Sequence, residues 1–260
     1  MRKPVATFAL AAALALGGLA AGPLGSARAA GEVSVPSRDW SFDGLFGAFD
    51  PAAMQRGLQV YKDVCASCHG LRFVAFRNLQ ALGYDADQVA AIAADFEVED
   101  GPDGEGEMFM RPAVGSDTWP SPFPNEQAAR VANGGAYPPD LSLIVEARGG
   151  GADYLHHLLI GYTDPPADLE VPPGQYYNDY FPGNLIAMPP PLMEGIIEYA
   201  DGTPATPEQM AADVTTFLAW AAEPQLVERK RMGIKVILFL LVLTGLLYAV
   251  KRKVWSDVPH

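Results

Sequence analysis

Cys65-Ala66-Ser67-Cys68-His69 sets two thiols three residues apart, with an imidazole directly behind the second. That pattern suits the covalent attachment of a haem: two thioether bonds to its vinyl groups, and the adjacent His left facing the iron. These are the only cysteines in 260 residues, so no structural disulfide or Cys-rich zinc cluster competes for them. A zinc site would need two more ligands, and His156, His157 and His260 stand at the wrong spacing. A thioredoxin-like redox pair would need a βαβ context, and strand signals are scarce. The expectation is one haem c on Cys65 and Cys68, with His69 as axial ligand.

The other axial position decides the use of such a haem. A second protein ligand points to electron transfer, whereas an open site points to ligand binding or peroxidase chemistry. The candidates are His156, His157 and the methionines at 54, 108, 110, 188, 193 and 210. Met54 and Met210 fall on the apolar stripes of predicted helices, and Met108 and Met110 lie beside an acidic segment. His156 and His157 are adjacent on a predicted helix and point about 100° apart, so one at most could face a haem. Each is expected on the helix surface or at a partner contact. Met188 precedes Pro189-Pro190-Pro191, a stiff segment without N–H donors that can hold a thioether beside iron. Met188 is therefore the favoured ligand, with Met193 the nearest rival.

Helices must position these groups. Asp50 can cap a helix over 51–64 that opens with Pro51, carries Met54, Leu58 and Tyr61 on one face, and delivers Cys65. Further helices are predicted over 85–96, 126–132 and 153–162. Residues 163–191, rich in Pro and Tyr, read as an ordered loop. Thr206-Pro207-Glu208-Gln209 reads as a capping box opening a helix with the stripe Met210, Val214, Phe217, Leu218 and Ala221, ended by Pro224. The fold class expected is mostly α: a haem domain with long ordered loops, plus one C-terminal transmembrane helix.

The two ends of the chain read as membrane-related. Met1-Arg2-Lys3, an apolar run from Val5 to Ala21 and Ala27-Arg28-Ala29 form a signal-peptide pattern over 1–29. Met232 to Val250 is apolar except for Lys235, and basic triplets flank it at 229–231 and 251–253. Nineteen residues at 1.5 Å each span about 28 Å, close to the ~30 Å of a hydrocarbon core. The expected organisation is a periplasmic domain over 30–228, an anchor over 229–253 and a cytoplasmic tail over 254–260, in the inner membrane.

Charge is divided unevenly. Between residues 30 and 228 there are 30 acidic and eight basic residues, an excess of 22 negative charges. That sign excludes nucleic acid as a partner and favours a basic protein. Seven acidic residues crowd Asp95–Glu107 among glycines and a proline. They read as a solvated, mobile loop, with partner docking as the other reading.

Beyond the haem motif, several segments occur in an order that resembles the cytochrome c1 family, the haem subunits of ubiquinol–cytochrome c reductase (the cytochrome bc1 complex). They are Gly57-Leu58-Gln59-Val60-Tyr61, the run from Ala132 to Ser142 containing Tyr137-Pro138-Pro139-Asp140, Ala147-Arg148-Gly149-Gly150, and Tyr180-Phe181-Pro182-Gly183-Asn184. Ala187-Met188-Pro189-Pro190-Pro191, Asp201 to Thr206, Trp220 to Pro224 and Arg229 to Gly233 complete the series. The resemblance implies a cytochrome c-like domain in which Met188 is the axial ligand, Arg148 pairs with a haem propionate, and Pro138 and Pro139 line the proximal face. A carbonyl there would accept the free N–H of His69. It also implies one-electron transfer from a Rieske iron–sulfur protein to a cytochrome c, with cytochrome b as a further partner and no general acid or nucleophile. Some bacterial members carry a disulfide in the loop before the Met ligand. Here that loop must be held by packing alone. A free-standing membrane-anchored c-type cytochrome feeding a terminal oxidase is the alternative, and a haem enzyme or gas sensor the more distant one.

Overall fold

The computed structural model describes residues 34–257. The predicted signal segment, residues 1–29, lies outside them. Helix α1 (Pro51–Val60) starts where expected: the Asp50 carboxylate accepts the Ala52 N–H at 3.0 Å, and Pro51 fills the first turn. Instead of continuing as α-helix to residue 64, the chain widens into a π-helical turn over Tyr61–Cys65. A 3-10 helix over Phe76–Leu82 follows, which no sequence signal announced. Then come α2 (Ala86–Ala94), α3 (Glu126–Ala132), α4 (Gly151–Ile160), α5 (Pro207–Ala222) and α6 (Leu226–Val254).

The core forms where α5 lies across α1, with the 3-10 helix and α4 packed around them. The crossing is tight: a Cβ on Gly57 would lie 2.1 Å from the Asp213 carbonyl oxygen and 2.7 Å from the Phe217 Cβ. Beside it, Arg56 grips the buried Asp213 carboxylate through two bonds of 2.9 and 3.0 Å and reaches Asp201 at 3.0 Å. Tyr61, Trp119, Phe76, Phe96 and Phe217 continue the core as an aromatic cluster with neighbouring centroids 4.7–5.8 Å apart. Helix α5 is buried from Met210 to Ala221 on every side, not along one stripe. Thr206 caps it by accepting the Gln209 N–H at 3.2 Å, but the return arm of the expected box is missing because the Gln209 amide donates to Asp213.

Two short antiparallel hairpins complete the domain. One pairs β1 (Glu97–Asp100) with β2 (Phe109–Pro112) in the register Glu97 to Pro112. The acidic segment expected to be a mobile loop is therefore an ordered hairpin. Arg111 holds it, bonding Asp100 and, at 2.6 and 3.1 Å, both oxygens of Asp117. The other hairpin pairs β3 (Tyr176–Tyr177) with β4 (Leu185–Ile186) inside the long loop. Packing alone does not hold that loop. Buried Asn178 donates to the Leu158 carbonyl at 2.8 Å and accepts the N–H groups of Tyr180 and Phe181.

Helix α6 spans 29 residues, none of them buried, and contains an 18-residue window of mean hydropathy 2.3. It is long and apolar enough to cross a membrane. Its base is tied to the domain by Lys230 Nζ, 2.5 Å from the Phe42 carbonyl oxygen, and by Arg229 paired with Glu223.

Replacing Arg56 with Leu strands the buried Asp213 carboxylate and should cost about 3–5 kcal/mol, read by denaturant unfolding in detergent. Unchanged stability would show that the pair is not a keystone. Asp100 and Asp117 are both held below the ordinary carboxylate range, first by hydrogen bonds from Arg111. Such lowered groups contribute stability above their unfolded values, and it is lost as pH falls through the folded ones. Amide exchange across 97–112 should thus stay protected near pH 5, fail only in stronger acid, and rise in Arg111→Gln at neutral pH.

Candidate haem-attachment site

The π-helical turn presents the motif. Its widened ring is closed by the Ala66 N–H on the Tyr61 carbonyl at 2.8 Å, and Cys68 and His69 then donate to the Cys65 carbonyl at 3.1 and 2.9 Å. Neither Cys65 nor Cys68 is in a disulfide, and both are half-buried. Burial, reinforced by the neighbouring Cys68, pushes the Cys65 thiol up to about 12. The Tyr61 hydroxyl donates to the His69 carbonyl at 3.1 Å, bracing the end of the motif from the core side.

A second segment is laced to this one. Leu141 donates to the Gly70 carbonyl at 2.8 Å, and Asp140 accepts the N–H of Arg72 at 3.0 Å and of Ser142 at 2.9 Å. Phe73 donates to the Ser142 hydroxyl at 3.1 Å. Gly70 sits where a Cβ would come 3.0 Å from the Asp140 carboxylate. This lacing brings Pro139 to His69, whose Nδ1 lies 2.7 Å from the Pro139 carbonyl oxygen. A carbonyl only accepts, so Nδ1 carries the hydrogen and Nε2 keeps its lone pair. Burial lowers the His69 pKa, opposed by the bond to Pro139. The ring is held neutral in the tautomer a metal ligand requires.

The methionines sort by exposure. Met54 and Met210 are core residues, as their helical stripes predicted. Met108, Met110, Met193 and Met232 are exposed. Met188 alone among the described methionines is half-buried, resting on the core that Cys65 and Ala66 also touch. Its carbonyl accepts the Tyr162 hydroxyl at 3.0 Å, which fixes the backbone before the three prolines.

The histidines of α4 do not behave alike. His157 donates from Nδ1 to the Asp153 carbonyl at 2.8 Å. His156 is buried, contrary to the surface position expected. Helix α4 turns that face onto Trp40 and the first turn of α5, where His156 Nε2 meets Glu208 at 3.0 Å. Arg148 is exposed, donates to the Ala147 carbonyl at 3.0 Å, and has no carboxylate partner among the described residues. It lines a cleft of about 350 Å³ with Trp40, Phe42 and Glu146, and none of Cys65, Cys68, His69 or Met188 lines that cleft. The structure thus brings the Pro139 carbonyl to His69 but does not place Arg148 with it.

No cluster of three His, Cys, Asp or Glu side chains among the described residues could hold a bare metal ion. The donor set that is present, two unpaired thiols, an imidazole with Nε2 free and a half-buried thioether, fits a haem. A family model described as the Cytochrome C1 family matches residues 40–258.

The chain belongs to the cytochrome C1 family.

Cytochrome c1 of Rhodospirillum rubrum is 50% identical over 88% of this chain and 90% of its own length. The mitochondrial heme protein cytochrome c1-2 of Solanum tuberosum is 52% identical over 86% of each chain. A protein of Bradyrhizobium diazoefficiens named cytochrome b/c1 is 50% identical over 98% of this chain, which spans only 40% of that relative's length. The mostly helical domain with one long apolar helix agrees with the expected fold class.

Asp140, Tyr162 and Asn178 carry the geometry without a role assigned from the sequence, and Tyr61 is expected from it only on the core face of a helix. Asp140 stood inside a family segment, and only its neighbours were given roles. Asp140→Ala should remove the two bonds that lace Arg72 and Ser142 together. The expected cost is about 1–3 kcal/mol and a lower yield of haem-loaded protein, read by denaturation and by the pyridine haemochrome spectrum. Full yield and stability would mean that the backbone bond from Leu141 suffices.

Proposed function

We propose that this cytochrome c1-family chain is the haem-carrying electron-transfer subunit of a cytochrome bc1 complex, taking one electron from a Rieske iron–sulfur protein and delivering it to a cytochrome c. The observation that carries the reading is the fixed imidazole: His69 directly follows the two thiols, with Nδ1 spent on Pro139 and Nε2 free. When bound through Cys65 and Cys68, the haem supplies one-electron exchange at its iron.

The chain's own residues do the rest. The Pro139 carbonyl sets the His69 ring plane and raises its basicity as a ligand. Met188 would supply a thioether ligand to the bound haem, its backbone positioned by the Tyr162 hydroxyl on one side and the stiff Pro189–Pro191 run on the other. A thioether in that place favours the reduced iron more than a second imidazole would. Arg148, with no carboxylate partner among the described residues, is the candidate partner for a propionate, and Pro138 would line the face on the His69 side. No step needs a proton donor or nucleophile, so none of these residues is given such a role.

The surroundings support the same reading. An excess of 22 negative charges over residues 30–228 steers a basic cytochrome c toward the domain. Helix α6 holds the domain at the membrane, with residues 30–228 in the periplasm and 254–260 in the cytoplasm. A relative that bears the names b and c1 in one chain supports cytochrome b as the partner beside it.

Tagging the C-terminus and purifying in mild detergent should bring b-type haems and a Rieske subunit along, with quinol-to-cytochrome c activity. A lone c-type haem under several mild conditions would point instead to a free-standing carrier. Met188→Leu should keep haem covalently attached, lower the reduction potential and open the iron to carbon monoxide, which the parent protein binds little. An unmoved potential in a redox titration would remove Met188 as ligand.

A further inference from the structure

The segment Trp40–Phe49 is a closed loop with an apolar tip that the proposed electron transfer does not use. Ala48 donates to the Ser41 carbonyl at 2.9 Å and Asp43 to the Trp40 carbonyl at 3.0 Å, so its ends are pinned together. Phe42 stacks on Trp40 with centroids 5.5 Å apart and tilts against Phe49 at 5.0 Å, which fills the base. Gly44, at φ 65, turns the chain, and the next two residues, Leu45 and Phe46, are 58% and 85% exposed. Two large apolar side chains on a braced turn cost free energy in water and call for a cover.

The position of the loop says what covers it. The Phe42 carbonyl accepts from Lys230 at 2.5 Å, and Lys230 is two residues, or about 3 Å of helical rise, before the apolar run that begins at Met232. Leu45 and Phe46 follow Phe42 by three and four residues, a reach of at most ~14 Å. Each polar boundary of a bilayer is roughly 5–8 Å deep, a depth that this length of chain can reach. Arg231 stands at the same level with a charge suited to lipid phosphates, beside Arg229, paired with Glu223, and Lys230, held by the Phe42 carbonyl. The one acid in the turn, Asp43, is exposed but tied back to the base of the loop, its carboxylate accepting the Trp40 N–H at 3.2 Å.

We propose that Leu45 and Phe46 form a second membrane contact, seated in the headgroup–acyl boundary of the bilayer crossed by α6. This rests on α6 being the membrane anchor. The loop then fixes the tilt of the domain on its anchor, because one helix alone leaves it free to swivel. It does so through apolar side chains rather than cations, which matters for a domain whose net charge repels anionic lipid.

The test uses the full, haem-loaded chain in nanodiscs of phosphatidylethanolamine and phosphatidylglycerol. Phe46→p-benzoylphenylalanine is illuminated beside Val131→p-benzoylphenylalanine, at an α3 position that is 86% exposed. The expected result is a lipid-mass adduct on the peptide containing position 46 and none at 131. A chain that enters the discs without a lipid adduct at 46, or with equal adducts at both sites, overturns the proposal and leaves the anchor reading standing. A chain that does not enter the discs removes the anchor reading and this one with it. In native membranes, a cross-link from position 46 to a polypeptide with no lipid adduct overturns the lipid assignment in favour of a protein occupant.

Discussion

The structure depends on how closely two helices can approach. At the crossing of α1 and α5, the backbone of one element touches the backbone of the other, and only the missing side chain of Gly57 allows it. A buried salt bridge locks the same point. The Arg56–Asp213 pair is costly to desolvate, yet each oxygen of Asp213 receives its own guanidinium N–H, and the Gln209 amide adds a third bond. The crossing fixes the axis of α1, and α1 fixes where the π-helical turn releases Cys65. Everything at the attachment motif inherits that placement.

From the crossing outward, precision passes from side-chain packing to backbone hydrogen bonds. The thiols are delivered by a helix, but His69 is oriented by a carbonyl from a segment 70 residues later in the chain. That carbonyl is held in turn by the Leu141–Gly70 bond and the two acceptances of Asp140. Met188 depends on Tyr162, and the loop between them depends on Asn178. A domain this rich in loops tolerates them because a few buried polar atoms satisfy many loop amides.

Local signals were legible wherever one short segment contained the whole cause. The caps at Asp50 and Thr206, the span 126–132 and the apolar length of α6 follow from nearest neighbours, and the structure has them. The haem motif is equally local, as is the run of prolines after Met188. What stayed hidden depends on distant partners. The acidic stretch read as mobile because its seven carboxylates repel, and nothing nearby showed that Arg111 would tie one of them, Asp100, together with Asp117 to hold a hairpin. His156 read as a surface residue because the face it turns inward is set by Trp40 and Glu208, 116 and 52 residues away in sequence. Asn178 carries no sequence signature at all: one amide in a polar, aromatic loop looks like any other.

The link between Arg56 and Asp213 joins residues 157 positions apart, with no disulfide to shorten the path. Closing a chain segment of that size costs on the order of 4–5 kcal/mol of loop entropy before any contact there returns free energy. Turn-forming contacts within residues 50–69 carry no such penalty, so α1 and the two thiols can take shape early while α5 is still distant. Folding speed in this domain is therefore slowed by long-range contacts such as this one, and the attachment motif belongs to the part of the chain that need not wait for it.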